Sequence, residues 1–216
     1  MTKRQTTRDR IVEQARHLFN EQGYEAVTTA ALAAHLGMAE GNLWYHFKTK
    51  RALLDAIGAR YAEVIEQRLR MVPGADAVAS YAALLGTMMA EFRAFRFLYR
   101  DQRSYGQLAE LIEQNARQWT EITFAQLEAH LAALVDAGLL DWPRERLGDV
   151  AINATIILRY GLEHYREMGV PVGAGSGAVQ RTLKQHLTLF EHRLDPQAAA
   201  RLNAAIAAIE VRDLAA

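Results

Sequence analysis

Residues 29–48 of this 216-residue chain read TAALAAHLGMAEGNLWYHFK, with small and apolar residues at the points where two helices would cross closely. Ala33 would let a second helix approach, Gly37 can adopt a positive φ in a tight turn, and Leu43 can pack back against the first helix. The stretch therefore predicts a helix-turn-helix. The exposed face of its second helix would carry polar and aromatic side chains that suit the major groove of DNA better than a protein core: Glu40, Asn42, Trp44, Tyr45 and His46.

Helical patterns continue on both sides of this stretch. Thr6 and Asp9 have the spacing of a capping box before a first helix that ends near Gly23. A second helix begins at Thr28-Thr29, and Pro73 ends a long amphipathic helix that starts near Lys50. The remaining predicted helices are the third, at about 39–47, and six in the rest of the chain, at about 76–98, 101–108, 110–137, 145–168, 178–193 and 196–211. Because no segment alternates with the period of a strand, we expect an all-α fold.

Composition narrows the classes of function. The chain has no cysteine, which excludes disulfides and cysteine-based zinc sites. No apolar run reaches the length of a membrane span, and the first residues lack the apolar segment of a signal peptide, so we expect a cytoplasmic protein. The net charge is zero, but residues 1–60 carry nine Lys/Arg against six Asp/Glu, an excess of three positive charges that favours a DNA-facing head.

Several segments around the helix-turn-helix carry a shared pattern: Gly23-Tyr24-Glu25-Ala26-Val27-Thr28-Thr29, Leu32-Ala33, Leu36-Gly37, Leu43 and Tyr45-His46-Phe47-Lys48-Thr49-Lys50, followed by Leu53-Leu54. These residues resemble the tetracycline-repressor (TetR/AcrR) family of bacterial one-component regulators. The resemblance covers about the first 57 residues. It implies a homodimer of all-α subunits, with a three-helix DNA-binding domain at residues 1–57 and a ligand-binding and dimerisation domain at residues 58–216.

The resemblance also implies individual DNA contacts. Ala39 departs from the family pattern, since a Ser or Thr often caps the third helix there, and Ala30 stands where some members place a base-reading Arg. Glu40 would put a negative charge in the groove, which is tolerable if it accepts from a cytosine amino group. The expected contacts are Thr28 and Thr29 with phosphates, Glu40, Gly41, Asn42, Trp44 and Tyr45 with the groove, and His46, Lys48 and Lys50 with the DNA backbone.

Methionine and aromatic side chains recur on neighbouring predicted helices of the body. Each could belong to a plain core, but together they would form an adaptable apolar lining for a small ligand. The candidate lining residues are Met88, Met89, Phe92, Trp119, Phe124 and Tyr160, with His164 as a polar anchor. The helices near 145–168 and 178–193 are expected to form an isologous dimer interface, with Ile152, Ile156, Leu183, Leu187 and Phe190 among the apolar positions.

We therefore predict a homodimeric transcriptional regulator: a repressor that a small-molecule effector releases from a palindromic operator in double-stranded DNA. Neither enzymatic activity nor a cofactor, metal or membrane partner is expected. The glycine-rich segment 173–177 does not follow a strand and lacks the Gly-Lys-Ser/Thr of a phosphate loop. Two alternatives stay open, an all-α binding or interaction module whose head lacks DNA affinity and a helical enzyme without a cofactor.

Overall fold

A computed structural model describes residues 6–100, 110–173 and 175–209, and of residues 110–113 it describes the backbone alone. Within those residues the chain forms α-helices and no strand; one isolated bridge joins Leu140 and Leu194. The all-α prediction is confirmed. The helices are α1 (Thr7–Gln22), α2 (Thr29–His35), α3 (Glu40–His46), α4 (Lys50–Leu69), α5 (Ala77–Ala94), α6 (Arg96–Arg100), α7 (Glu110–Asp136), α8 (Leu147–Glu167), α9 (Ala178–Leu187) and α10 (Pro196–Ala207), with 3-10 turns at Arg144–Arg146 and Glu191–Arg193.

Local sequence signals explain several helix starts. The Thr6 hydroxyl accepts from the Asp9 N–H at 3.1 Å, while the Asp9 carboxylate accepts from the Thr6 N–H, so the predicted capping box is confirmed. Thr28 caps α2 by accepting from the Ala31 N–H at 3.1 Å. Asp195 caps α10, with Pro196 as its first residue. These ends follow from neighbours in the sequence, which is why they were predictable.

The predicted helix at 76–98 is wrong in one respect, since it is broken at Phe95 into α5 and α6. The carbonyl of Ala94 accepts from Asn20 Nδ2 at 2.7 Å and also from the Arg16 guanidinium, while the backbone N–H of Phe97 donates to Asn20 Oδ1 at 3.0 Å. Side chains of α1 thus replace helical hydrogen bonds at the break.

Two other predicted helices differ at their ends. The helix predicted at 178–193 ends at Leu187, and a 3-10 turn follows at Glu191–Arg193. The final helix, predicted at 196–211, ends at Ala207. The helix predicted at 101–108 lies outside the described residues.

The described chain divides into two compact units. We call the first the head unit; it contains α1–α3, α4 as far as Ile65, and the part of residues 94–117 that the structure describes. The body unit contains residues 66–93 and the described chain from Gln118 onward. The head unit extends beyond residue 57, because α6 and most of α4 cluster with the first three helices. The functional boundary expected at residue 57 stays a prediction.

Within the head unit, α6 closes the C-terminal end of α1. Arg96 Nη2 donates to the Asn20 carbonyl at 3.1 Å, and Arg100 Nη2 donates to the Phe19 carbonyl at 3.0 Å. Cations at a helix C-terminus satisfy open carbonyls and complement the helix dipole. A buried hydroxyl pair, Tyr61 with Tyr99 at 2.6 Å, joins α4 to α6.

In the body unit, α8 and α9 cross closely. A Cβ added to Gly161 would lie 2.6 Å from Thr182 Cγ2, so only a glycine fits the present crossing. The α9 side of this packing includes side chains expected at a dimer interface, namely Leu183 and Leu187, and Phe190 beyond the helix end is likewise fully buried within one subunit. These three residues therefore belong to the subunit core, which corrects their expected position. Ile152 and Ile156 on α8 are instead 44% and 53% exposed.

Candidate nucleic-acid interface

Helices α2 and α3 are joined by a turn that follows the predicted pattern. Gly37 has φ +65°, and the N–H of Met38 donates to the Ala33 carbonyl at 3.0 Å. Leu32, Ala33 and Leu43 are buried, as the two helices require for close packing. The predicted roles of Ala33, Gly37 and Leu43 are thus confirmed, and the segment is a helix-turn-helix.

The opposite face of α3 is open to solvent. Tyr45 is 76% exposed, and its ring meets that of His46 edge-on at 5.4 Å between centroids. Trp44 and His46 are half-buried. The remaining polar or small positions of this face, Glu40, Gly41 and Asn42, are exposed. The structure therefore brings together the residues that were expected to face a groove.

Gly41 has no packing role in the described chain. A Cβ added there would meet no heavy atom within 4 Å, and its φ is not in the left-handed region. Glycine inside a helix costs roughly 0.5–1 kcal/mol relative to alanine. Neither packing nor backbone conformation requires glycine at this position. Without a side chain there, another molecule can approach the backbone of α3 closely.

The two threonines at the start of α2 are both engaged. The Thr28 hydroxyl oxygen accepts from the Ala31 N–H, which leaves its own proton free to be donated. Thr29 Oγ1 donates to Glu40 Oε1 at 2.8 Å. Thr28 is exposed and Thr29 is half-buried. Of these two threonines, Thr28 is the one whose hydroxyl proton is uncommitted.

The two lysines after α3 differ in environment. Lys48 is exposed. The ammonium of Lys50 donates to the carbonyls of Tyr24 and Glu25, and it lies 4.3 Å from the centroid of the Tyr24 ring. Desolvation by partial burial lowers the pKa of Lys50. Lys50 therefore holds the turn between α1 and α2, which departs from the backbone contact expected of it.

A contact between α1 and the end of α3 was not foreseen from the sequence. The guanidinium carbon of Arg8 lies 4.7 Å from the centroid of the buried Phe47 ring. Such a cation–π contact contributes about 0.5–1 kcal/mol at an exposed site. The neighbouring basic residues Lys3 and Arg4 lie outside the described residues.

The body residues expected to line a ligand pocket fall into two groups. Met88, Met89, Phe92 and Trp119 are buried, and Phe124 is half-buried. Tyr160, which is 44% exposed, and His164 lie on the surface of α8. Both side chains are exposed, at successive four-residue spacings from the exposed Ile156, whereas they were expected to line a ligand pocket. Their role in ligand binding stays a prediction.

A buried charge cluster in the body was missed at the sequence level. Arg68 donates to Glu91 Oε2 at 2.7 Å, to Gln126 Oε1 at 2.7 Å and to Thr123 Oγ1 at 2.9 Å. The side chains of Arg68 and Glu91 are 1% and 0% exposed. The cluster joins the last turn of α4 to α5 and α7. Its members are distant in sequence, so only the spacing of single polar residues in apolar helices could have signalled it.

Two histidines are also buried in the body unit. His130 Nδ1 donates to the Gln126 carbonyl at 2.8 Å, so its neutral ring carries a lone pair on Nε2, which has no hydrogen-bond partner among the described residues. His186 Nε2 is 2.7 Å from the hydroxyl of Tyr81, and burial lowers the pKa of His186 to about 3. Both rings are therefore neutral near pH 7.

Among the described residues there is neither a candidate metal-binding cluster nor a candidate membrane-spanning helix. There, no group of three or more His, Asp or Glu side chains is placed to hold a metal ion. Across the same part of the chain, no helix is both long and apolar enough to cross a membrane.

A short helix, a glycine turn and a second helix with an exposed polar face define the helix-turn-helix class. Residues 11–57 match the family described as "Bacterial regulatory proteins, tetR family", and residues 60–202 match the family described as "Bacterial transcriptional repressor". The chain belongs to the tetR family of bacterial transcriptional regulators.

Curated relatives match the front of the chain. Tetracycline repressor protein class A from transposon 1721 of Escherichia coli is 37% identical over 91 residues, which are 42% of this chain and 40% of that protein. The HTH-type transcriptional regulator UidR of Escherichia coli K12 is 38% identical over 56 residues, 26% of this chain and 29% of that protein. The matched segments thus span less than half of these relatives.

Solved structures extend the likeness to the whole fold. A TetR-family transcriptional regulator from Marinobacter aquaeolei VT8 is 25% identical, with a TM-score of 0.75 over 94% of this chain and 98% of that one. The TetR family protein CprB from S. coelicolor A3(2) is 20% identical, with a TM-score of 0.66 over 94% and 96%. The second comparison supports the fold alone.

Proposed function

We propose that the protein is a homodimeric, sequence-specific DNA-binding regulator, and that it represses transcription until a small molecule releases it from a palindromic operator. The observation that carries DNA binding is the exposed face of α3, where Tyr45 is 76% exposed on a helix whose other side is packed against α2. As a DNA-binding protein it would act in the cytoplasm.

The exposed face of α3 and its neighbours support two kinds of DNA contact: one reads base edges, and the other positions the protein on the phosphate backbone. Asn42, Trp44 and Tyr45 would contact base edges, with Gly41 allowing the helix backbone to approach. Thr28, His46 and Lys48 would contact phosphates, which position the protein without carrying sequence information. Lys50 would act indirectly, by holding the turn that leads to Thr28.

Base reading can be tested with a duplex selected by the wild-type protein from a randomised pool. Asn42→Ala should relax the preference at one base pair by roughly 5–150-fold, since an Asn bound to an adenine edge contributes about 1–3 kcal/mol of discrimination. Gln22→Ala, an exposed change at the end of α1, is the control. An all-α interaction module without DNA affinity would enrich no sequence. If N42A loses the same affinity for selected and shuffled duplexes, the assignment of α3 as the base-reading helix is wrong.

Dimer formation is supported by a row of large, exposed hydrophobic side chains on α8. Ile152, Ile156 and Tyr160 are four residues apart, so they lie on one face of the helix, and all three are exposed. A twofold axis would place this row against its own copy, as an isologous interface requires. His164, one turn further on, would lie at the edge of the same interface.

Effector binding would use the buried part of the body unit. Met88, Met89 and Phe92 supply adaptable apolar surface, and the lone pair on His130 Nε2 supplies an acceptor for a polar group of the ligand. Native mass spectrometry of the purified protein should reveal a co-purified small molecule, and Phe92→Ala should reduce its occupancy while operator binding persists. An effector that lowers operator affinity equally in wild type and F92A would contradict this location.

A further inference from the structure

We propose that Glu40 sets the sequence specificity of α3 as a positioning residue: it acts through the hydroxyl of Thr29 and does not read a base. The inference rests on the DNA-binding function proposed above. It starts from the hydrogen bond between Thr29 Oγ1 and Glu40 Oε1, which is 2.8 Å long.

The bond joins the first turns of two short helices. Thr29 is the first residue of α2 and Glu40 is the first residue of α3, and each helix has seven residues. Helices of this length are not stable alone in water, so their orientation depends on contacts with neighbours. Leu43 in the middle of α3 and Phe47 at its C-cap are buried and supply such contacts.

The N-terminal end of α3 lacks a side-chain cap. Ala39 occupies the N-cap and provides no side-chain hydrogen bond. A Ser or Asp at such a position would contribute about 0.5–2 kcal/mol. The Thr29–Glu40 bond takes over part of this role, and the negative charge of Glu40 also suits the positive end of the helix dipole.

The chemistry of the hydroxyl limits what Thr29 can do. A threonine has one hydroxyl proton, so it cannot donate to Glu40 and to a phosphate at the same time. The phosphate contact expected of Thr29 through this group therefore competes with the bond to Glu40. Thr28, whose proton remains available, is the better phosphate donor.

The charge of Glu40 has a separate effect. An exposed carboxylate beside a DNA-binding face repels the phosphates of every duplex, so it weakens binding to operator and random DNA alike. In this proposal the bond to Thr29 persists in the complexes with operator and with random DNA. A correctly oriented α3 raises the affinity only for the duplex whose bases match. Glu40 thus lowers overall affinity and raises the ratio of operator to random binding.

A double-mutant cycle tests this proposal, using the full-length chain, a duplex selected by the wild type and a shuffled duplex of the same composition. Thr29→Val and Glu40→Ala should each lower the selected-to-shuffled affinity ratio by roughly 2–10-fold, the range of one hydrogen bond. The double variant should be no worse than either single one, because both remove the same bond. The loss should spread over several base pairs.

Glu40→Gln separates the bond from the charge. Its amide oxygen can still accept from Thr29, so the affinity ratio should fall less than in E40A. Its affinity for the shuffled duplex should rise by several-fold at low salt because one repulsive charge is lost. Glu21→Gln, which removes an exposed charge at the end of α1, is the control for charge alone. Thermal unfolding confirms that every variant is folded.

Two results would overturn the proposal, and a third would overturn the DNA-binding function on which it rests. If E40A relaxes preference at a single base pair and T29V does not, Glu40 reads a base and the proposal is wrong. Additive losses in the double variant would also overturn it. If the wild type enriches no duplex at all, the proposed DNA-binding function itself fails, and that outcome is distinct from the other two.

Discussion

At the scale of single residues, substitution of Gly41 is expected to change protein stability and DNA affinity in opposite directions. The folded chain leaves open space where its side chain would be. Gly148, the second residue of α8 as Gly41 is of α3, makes a matched comparison, because a Cβ there would meet Glu128 Oε2 at an ordinary 3.7 Å.

We expect Gly41→Ala to stabilise the protein by up to about 1 kcal/mol, since alanine favours helix. The same variant should bind the selected duplex more weakly, because the methyl group obstructs close approach. Gly148→Ala should give a similar gain in stability without loss of affinity. Urea unfolding and fluorescence anisotropy measure the two effects. Unchanged DNA affinity in G41A would remove Gly41 from the interface.

Lys48 and Lys50 are predicted to behave oppositely. Lys48→Met should reduce the slope of log affinity against log salt by about one, as expected for one lost phosphate contact, with little change in stability. Lys50→Met should lower the free energy of unfolding by about 1–3 kcal/mol, because a charged hydrogen bond to backbone is lost, while the salt slope stays the same. Salt titrations and urea unfolding distinguish them. A reduced slope in K50M would restore its expected phosphate contact.

Residue placement was predictable where it depended on neighbours in the sequence. Gly37, Leu43 and the exposed Tyr45 follow from helical periodicity and turn chemistry. The contacts of Lys50 with the Tyr24 and Glu25 carbonyls could not be predicted, because they join positions about 25 residues apart. The Thr29–Glu40 bond joins positions 11 residues apart and depends on how α2 and α3 pack.

At the scale of elements, α4 carries ion pairs in contrasting surroundings. The Arg68–Glu91 pair is fully buried and has further partners on α7, whereas the Arg60–Glu63 pair is 42% and 62% exposed. Helix periodicity placed the start of α4 at Lys50 correctly and its end, which is Leu69, a few residues too late at Pro73. It gave no sign that Arg68 points inward. Likewise, the break at Phe95 depends on Asn20, far away in the sequence.

Removing one member of the buried pair should be costly. Arg68→Met should lower the free energy of unfolding by about 3–5 kcal/mol, because the buried carboxylate of Glu91 loses its ion pair with Arg68. R68M together with Glu91→Leu should recover a large part of this loss. Arg60→Met should change stability by less than about 1 kcal/mol, as for a surface pair. Urea unfolding provides the comparison; equal losses in R68M and R60M would contradict a structural role of the buried cluster.

At the scale of the whole molecule, the proposed homodimer would assemble through α8. Sequence periodicity found Ile152 and Ile156, but it could not tell these exposed positions from Leu183 and Leu187, which the subunit core buries. Both kinds of position are apolar and helical, so only the three-dimensional packing distinguishes them.

Ile156→Glu should convert a dimer into a monomer at micromolar concentration, since it would bury an unpaired charge in the interface. Val72→Glu, at a 75% exposed apolar position outside the helices, is the control and should remain dimeric. Sedimentation velocity gives the mass, and circular dichroism checks that the helices persist. A dimeric I156E would place the interface elsewhere.

The central claim is that two copies of α3 bind DNA side by side from one homodimer. Selection from a pool of randomised duplexes, followed by measurement of the mass of the selected complex, tests it most directly. We expect enrichment of an inverted repeat whose half-sites lie about 34–36 Å, or a multiple of that, apart, bound by two or a multiple of two subunits. A pool without enrichment, or a single half-site bound by a monomer, would contradict the claim.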